Sequence, residues 1–146
     1  MEERRKPYGV LRMVILAIVL SKGRVHGYEI YKTIEGFAYG AWRPSQGTIY
    51  RVLNEMVEEG LLDKEVTEDR RQVAYYAITE RGIRTFLEIV QEYFRKLNTV
   101  LPLTVEAVMK ASEYGYDTRE VLTRFLDLAE SVMKLYRYVE VRRSSS

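Results

Sequence analysis

The sequence predicts a mainly α-helical protein carrying one small two-stranded β hairpin. Three observations predict it. Apolar residues recur at three- and four-residue spacing along most of the 146 residues, the period of helices with one buried stripe. After Gly60 the period falls to two, which marks a pair of half-buried strands. The segment before that hairpin, Trp42 to Gly60, reads as a short helix with two unlike faces. Helix, turn, helix and hairpin in that order make a winged helix-turn-helix, and the helices that follow read as dimerisation helices. We divide the chain into residues 1–98, the winged head with a long fourth helix, and residues 99–146, a helical dimerisation region.

The elements follow from local chemistry. Residues 1–6 form a charged arm with Arg4, Arg5 and Lys6, read as a disordered terminus rather than a binding arm. The first helix, Tyr8 to Ser21, is apolar over most of its circumference and needs cover on more than one side. A second subunit is the expected cover, which puts Leu11 and Ile15 at a dimer interface. Lys22 to Val25 is a turn around Gly23. The second helix runs from His26 or Gly27 to Ala38 and turns Tyr28, Ile30, Tyr31, Ile34 and Phe37 inward. Tyr39, Gly40 and Ala41 break it.

The third helix is the element the others hold. Ser45 is a good N-cap behind Pro44, and Gly60 is a good stop after the last turn. Ile49, Val52, Leu53, Met56 and Val57 form its apolar stripe. Gln46, Gly47, Tyr50, Arg51 and Asn54 form the other face. A helix whose polar first turns carry the positive end of the dipole toward a groove has the geometry of a recognition helix. The alternative is an amphipathic surface helix whose outer face meets only water.

Leu62 to Val66 and Val73 to Thr79 read as the two strands, joined by a charged tip, Glu68-Asp69-Arg70-Arg71-Gln72. Thr79 or Glu80 opens a fourth helix to about Asn98, striped by Ile83, Phe86, Val90, Tyr93 and Leu97, and Pro102 is expected to stop it. A shorter helix spans Thr104 to Glu113. The last helix starts at Asp117, with Glu120 completing a capping-box pattern, and ends in a frayed Ser144-Ser145-Ser146. Leu122, Phe125, Ala129, Val132 and Tyr136 line its apolar side and are the expected dimer contacts.

Composition excludes several classes. There is no cysteine and one histidine, so disulfides, thiolate metal sites and multi-histidine metal sites are out. His26 reads as a helix-start residue. No catalytic constellation, cofactor site or metal site is expected, and the chain is read as no enzyme. The longest apolar run, Val14 to Leu20, is too short to span a bilayer, and no signal-peptide pattern follows it. The expected location is the cytoplasm, away from membranes. Net charge is only +2, so a nucleic-acid partner has to be argued from where the charges sit.

Three strings carry a resemblance: HGYEIYKTIE at 26–35, WRPSQGTIYRVLNEMVEEGLL at 42–62 and YYAITERG at 75–82. In this order they resemble the PadR family of transcriptional regulators, over about residues 8–98. The resemblance implies a dimeric DNA-binding repressor that answers to small aromatic or drug-like compounds. It also implies that Tyr50 meets the DNA backbone through its hydroxyl. Gln46 stands where the family usually has Pro. Arg70 and Arg71 stand where its wing usually has Gly and basic residues, and the acidic pair Glu68 and Asp69 is a departure.

The expected DNA-binding residues are therefore Ser45, Gln46, Gly47, Thr48, Tyr50, Arg51, Asn54, Lys64, Arg70 and Arg71. Backbone N–H groups at the helix start suit a phosphate. Arg51 suits guanine and Asn54 suits adenine, though Arg51 could instead pair with Glu55. Arg70 and Arg71 either reach a neighbouring groove or merely blunt a hairpin tip. The partner is double-stranded DNA with a pseudo-palindromic site, bound by a homodimer. Trp42, Tyr93, Tyr114 and Tyr136 are candidates for an aromatic effector pocket, against a plain packing role. The alternative function is a winged-helix protein-interaction module that never touches DNA. The acids Glu55, Glu58, Glu59, Asp63, Glu65, Glu68 and Asp69 weigh against DNA unless they face away from it.

Overall fold

The computed structural model describes residues 9–37 and 42–146. The arm at Arg4, Arg5 and Lys6 and the break at Tyr39, Gly40 and Ala41 lie outside them. The helices are α1 Gly9–Lys22, α2 Gly27–Phe37, α3 Gln46–Glu58, α4 Glu80–Glu113 and α5 Arg119–Ser144. The strands are β1 Arg24–His26, β2 Leu62–Val66 and β3 Ala74–Ile78. Packing divides the chain into two units, one ending at Phe94 and one beginning at Arg95.

In the first unit, α1 is the centre of the core. Leu11, Ile15, Leu16, Ile18 and Val19 are buried, together with Ile30 and Ile34 of α2, Ile49, Val52, Leu53 and Met56 of α3, and Val25, Leu62 and Tyr76 of the sheet. Each such side chain contributes about 1.5–3 kcal/mol on leaving water. This corrects the expected role of Leu11 and Ile15. They retain 2% and 0% of their exposure within one protomer, so they have no surface left for a second subunit. The sheet, α2 and α3 cover the side of α1 that carries these residues, while Met13, Val14 and Ala17 are half-buried and Val10 and Leu20 stay exposed.

The sheet has three strands rather than two, in the order β1-β3-β2, all antiparallel. The segment expected as a turn around Gly23 contains β1. Gly23 takes φ 84° and turns the chain sharply, so that Arg24, Val25 and His26 pair with Ala77, Tyr76 and Tyr75. Three residues are too short to show a period of two. Only pairing with β3 defines this strand.

The motif YYAITERG is a joint between β3 and α4. Thr79 caps α4: its Oγ1 accepts the Gly82 N–H at 2.9 Å and donates to the Gly60 carbonyl at 2.7 Å. Its own N–H donates to the Leu61 carbonyl at 3.1 Å. Gly82 is buried there because a Cβ would lie 2.1 Å from the Leu61 carbonyl oxygen.

Pro102 does not stop α4, which runs through it to Glu113 in one helix. A proline removes one N–H, here the one facing Asn98, and costs about 3 kcal/mol. The apolar stripe continues past it and offsets that cost. In the second unit, Leu101, Val105 and Val108 of α4 and Leu122, Phe125 and Leu128 of α5 line one apolar groove of about 250 Å³. α5 begins two residues later than expected, with Thr118 as N-cap and no side-chain bond from it. Asp117 supplies the acceptor instead, taking the Arg119 N–H at 3.1 Å and its guanidinium at 3.0 and 2.9 Å. The Arg119 hydrogen bonds hold the Asp117 carboxyl below its ordinary value.

Candidate nucleic-acid interface

α3 is set between two caps that its sequence specifies. Ser45, in extended backbone, accepts the Thr48 N–H on its Oγ at 3.1 Å. At the other end Gly60 takes φ 76°, its N–H meets the Val57 carbonyl at 3.0 Å, and the Leu61 N–H meets the Met56 carbonyl at 2.9 Å. Those paired bonds end a helix with a left-handed residue, which glycine adopts without strain. The buried stripe is Ile49, Val52, Leu53 and Met56.

The face opposite that stripe holds the expected site. Gln46, Gly47, Tyr50, Arg51 and Asn54 fall within about 140° of the helix circumference. Gln46, Gly47, Arg51 and Asn54 are exposed, and Tyr50 is half-buried. The Ser45 cap uses the Thr48 N–H, so Thr48 has no backbone donor to give. Gln46 and Gly47 keep the N–H groups that a helix start cannot satisfy internally. A Cβ on Gly47 would meet only Ser45 Oγ, at 4.0 Å. Nothing within the protomer asks for glycine at that position, where it costs about 0.5–1 kcal/mol of helix stability.

Tyr50 is anchored by α2. A Cβ on Gly27 would fall 3.0 Å from Tyr50 Cε1 and 3.3 Å from its hydroxyl, so glycine there makes room for the ring. Tyr76 lies against the same spot, 3.3 Å from that Cβ position. Burial first, and the neighbouring Tyr50 second, push the Tyr76 hydroxyl pKa up. His26 caps α2: its Nδ1 accepts the Tyr28 N–H at 2.9 Å. Its ring stands edge-on to Tyr75 at 5.6 Å. Both contacts agree with a helix-start histidine.

The sheet sorts the charges. Lys64 pairs in register with Tyr76 and shares its side of the sheet, but is exposed, with its Nζ 6.0 Å from the Tyr76 ring. Asp63 and Glu65 pair with Ala77 and Tyr75 and lie on the opposite side, because alternate residues of a strand face opposite ways. Glu65 there meets Arg24 at 3.5 Å, and Arg24 stacks 4.0 Å over Tyr75. Arg12 is buried and grips Glu59 through Nη1 at 3.3 Å and Nη2 at 2.5 Å. Of the acids that weigh against DNA, Glu59 and Glu65 thus have cationic partners within the protein. Arg70 and Arg71 are exposed at the wing tip.

Of the aromatic candidates, Trp42 and Tyr93 belong to the first unit, and Tyr114 and Tyr136 to the second. Trp42 is 38% exposed and lines a groove with Val10, Leu11 and Pro44. Tyr93 is 36% exposed on α4, with Phe94 tilted against it at 6.3 Å. Tyr114 lies in the turn before α5, whereas Tyr136 lies about 26 Å along that helix from its start. Among the dimer candidates on α5, Leu122, Phe125 and Ala129 are half-buried, while Val132 and Tyr136 are exposed.

Comparison with known proteins gives a consistent result. Residues 15–88 match the family described as Transcriptional regulator PadR-like family. Over 75 residues the chain is 41% identical to the Transcriptional regulator YqjI of Escherichia coli (strain K12), which takes in 51% of this chain. The chain spans 35% of that relative's length. A PadR-like transcriptional regulator from Bacillus cereus strain ATCC 14579 is 31% identical, with a TM-score of 0.56 over 66% of this chain and 92% of its own. A transcriptional regulator from Clostridium thermocellum, 22% identical, shares the fold with a TM-score of 0.58 over 64% of this chain and 92% of its own.

Proposed function

The chain belongs to the PadR-like family of transcriptional regulators, which are not enzymes, and on that premise we propose that it is a sequence-specific repressor that binds duplex DNA as a homodimer. The observation that carries this reading is the first two turns of α3. They set two uncapped N–H groups, a glycine with open space above it, a guanidinium and an amide on one exposed face. Gln46 and Gly47 hold a phosphate through their N–H groups, with Ser45 and Thr48 fixing the turn. Tyr50 meets the backbone. Arg51 and Asn54 read base edges, and Lys64, Arg70 and Arg71 reach the flanking strand.

Support for the homodimer comes from α5. It has no buried residue, and Leu126, Val132, Leu135, Tyr136 and Val139 are each at least half exposed. Apolar surface of that extent on one helix fits a protein partner. Residues 99–146 are then the dimerisation region and residues 1–98 the DNA-binding head. Two heads on a two-fold axis fit half-sites roughly 34 Å apart on a pseudo-palindrome. A small aromatic or hydrophobic effector relieves repression in the cytoplasm.

Salt tests the DNA reading. The chain should retain duplex DNA at low salt and lose affinity steeply between about 50 and 200 mM. An interaction module that never binds DNA retains none at the lower value. Within that experiment Arg51→Ala should cost about 1–3 kcal/mol and relax preference at one base pair. Equal affinity and equal preference would remove Arg51 from the site.

The dimer has its own test. Val132 is exposed and plays no part in the α4–α5 groove, so Val132→Glu leaves the protomer folded. It should sediment as a monomer where the parent sediments as a dimer. A dimer that survives the charge moves the interface away from this face of α5.

A further inference from the structure

The wing tip is held by its own side chains. The Thr67 N–H donates to the Val73 carbonyl at 2.9 Å, but the Val73 N–H donates to Thr67 Oγ1, at 3.0 Å, rather than to backbone. That hydroxyl gives its own proton to Asp69 Oδ1 at 2.9 Å. The same carboxylate oxygen accepts the Arg71 N–H at 3.1 Å. The Asp69 carbonyl accepts the Gln72 N–H at 3.2 Å, and Gln72 takes φ 46° to bring the chain back. One oxygen of Asp69 therefore ends a relay from Val73 through Thr67 and fixes the backbone on both sides of Arg70. An aspartate that bonds the N–H two residues on makes a turn of its own, and bonds in series strengthen one another.

On charge alone Asp69 opposes a polyanion. Its geometry gives it a different role. The carboxylate is engaged with a hydroxyl and a backbone N–H, and no ion pair among the described residues joins it to Arg70 or Arg71. We propose that Asp69 is a positioning residue for DNA: it fixes the turn that presents Arg70 and Arg71, so that this acid strengthens the hold on a duplex. The proposal rests on the DNA-binding reading above. A loosened tip must be ordered again on every binding event, which lowers affinity, and that loss outweighs the relief of one exposed charge.

The test measures retention of a mixed-sequence duplex of roughly 30 base pairs, long enough for two half-sites, by the full chain across a salt series. Asp69→Ala should bind about fivefold more weakly, the scale of re-ordering one or two side chains. Its salt slope should flatten by about one, the share of one phosphate contact. Asp69→Asn keeps the acceptor oxygen without the charge and should bind at least as tightly as the parent. Thr67→Val changes no charge, breaks the relay and should weaken binding as Asp69→Ala does. Amide exchange at Arg71 and Val73 should quicken in the Asp69→Ala and Thr67→Val chains while the core amides of the head keep their protection. Asp69→Ala binding as tightly as the parent, or Asp69→Asn falling as far as Asp69→Ala, overturns the proposal and leaves the DNA reading standing. A parent chain that retains no duplex at low salt removes both.

Discussion

Gly82→Ala should destabilise the head by about 3 kcal/mol, against the usual direction of a glycine-to-alanine change in a helix. The added Cβ would lie 2.1 Å from the Leu61 carbonyl oxygen, 3.1 Å from its carbon and 2.7 Å from Ile78 Cγ1. A flexible side chain could step aside, but the Leu61 backbone cannot. Its carbonyl accepts the Thr79 N–H, and its N–H closes the end of α3 on Met56. The first turn of α4 must therefore move away and take the Thr79 cap with it. Unfolding in urea or by heat measures the effect, expected as a fall in melting temperature on the order of 10–20 °C for a domain of this size. An unchanged melting temperature would refute the close approach.

Arg12→Ala should cost about 2–3 kcal/mol, the scale of removing charge-assisted bonds from a largely enclosed carboxylate. Arg12 is 7% exposed in the middle of an apolar helix, and both its terminal nitrogens reach Glu59. Glu59 is the C-cap of α3. The pair therefore fastens the far end of the recognition helix to α1, while Ser45 fixes the near end. The pair's own share is separable from general packing by a double-mutant cycle with Glu59→Ala. The coupling should be at least about 1 kcal/mol by chemical denaturation. Additive single losses would mean that Arg12 acts through its stem alone.

Much of the head was legible because its signals are local. Ser45 and Gly60 mark the ends of α3 by chemistry that needs no partner, and α3 runs between them. The hairpin strands appear where the period changes to two. The candidate face of α3 was likewise readable, since spacing alone decides which residues share a side of a helix. Whether each of those residues binds DNA is a separate question that periodicity does not answer. The signals that misled were local rules overridden by packing. Pro102 breaks a helix on its own account but not when apolar residues on both sides of it meet α5. The apolar girth of α1 asks for cover on more than one side, and within one protomer packing encloses the side that carries Leu11 and Ile15.

The amino-acid order by itself determined the helical class, the two faces and both caps of α3, and the presence of a hairpin behind it. Those depend on residues within a turn or two of each other. Only the tertiary structure decided that Arg24–His26 is a strand and that Arg12 holds Glu59 across 47 residues. It also decided that Gly27 and Gly82 are small because Tyr50 and the Leu61 carbonyl need their space. Pairing, close approach and burial of a charge are relations between distant segments, and no window along the chain contains both partners.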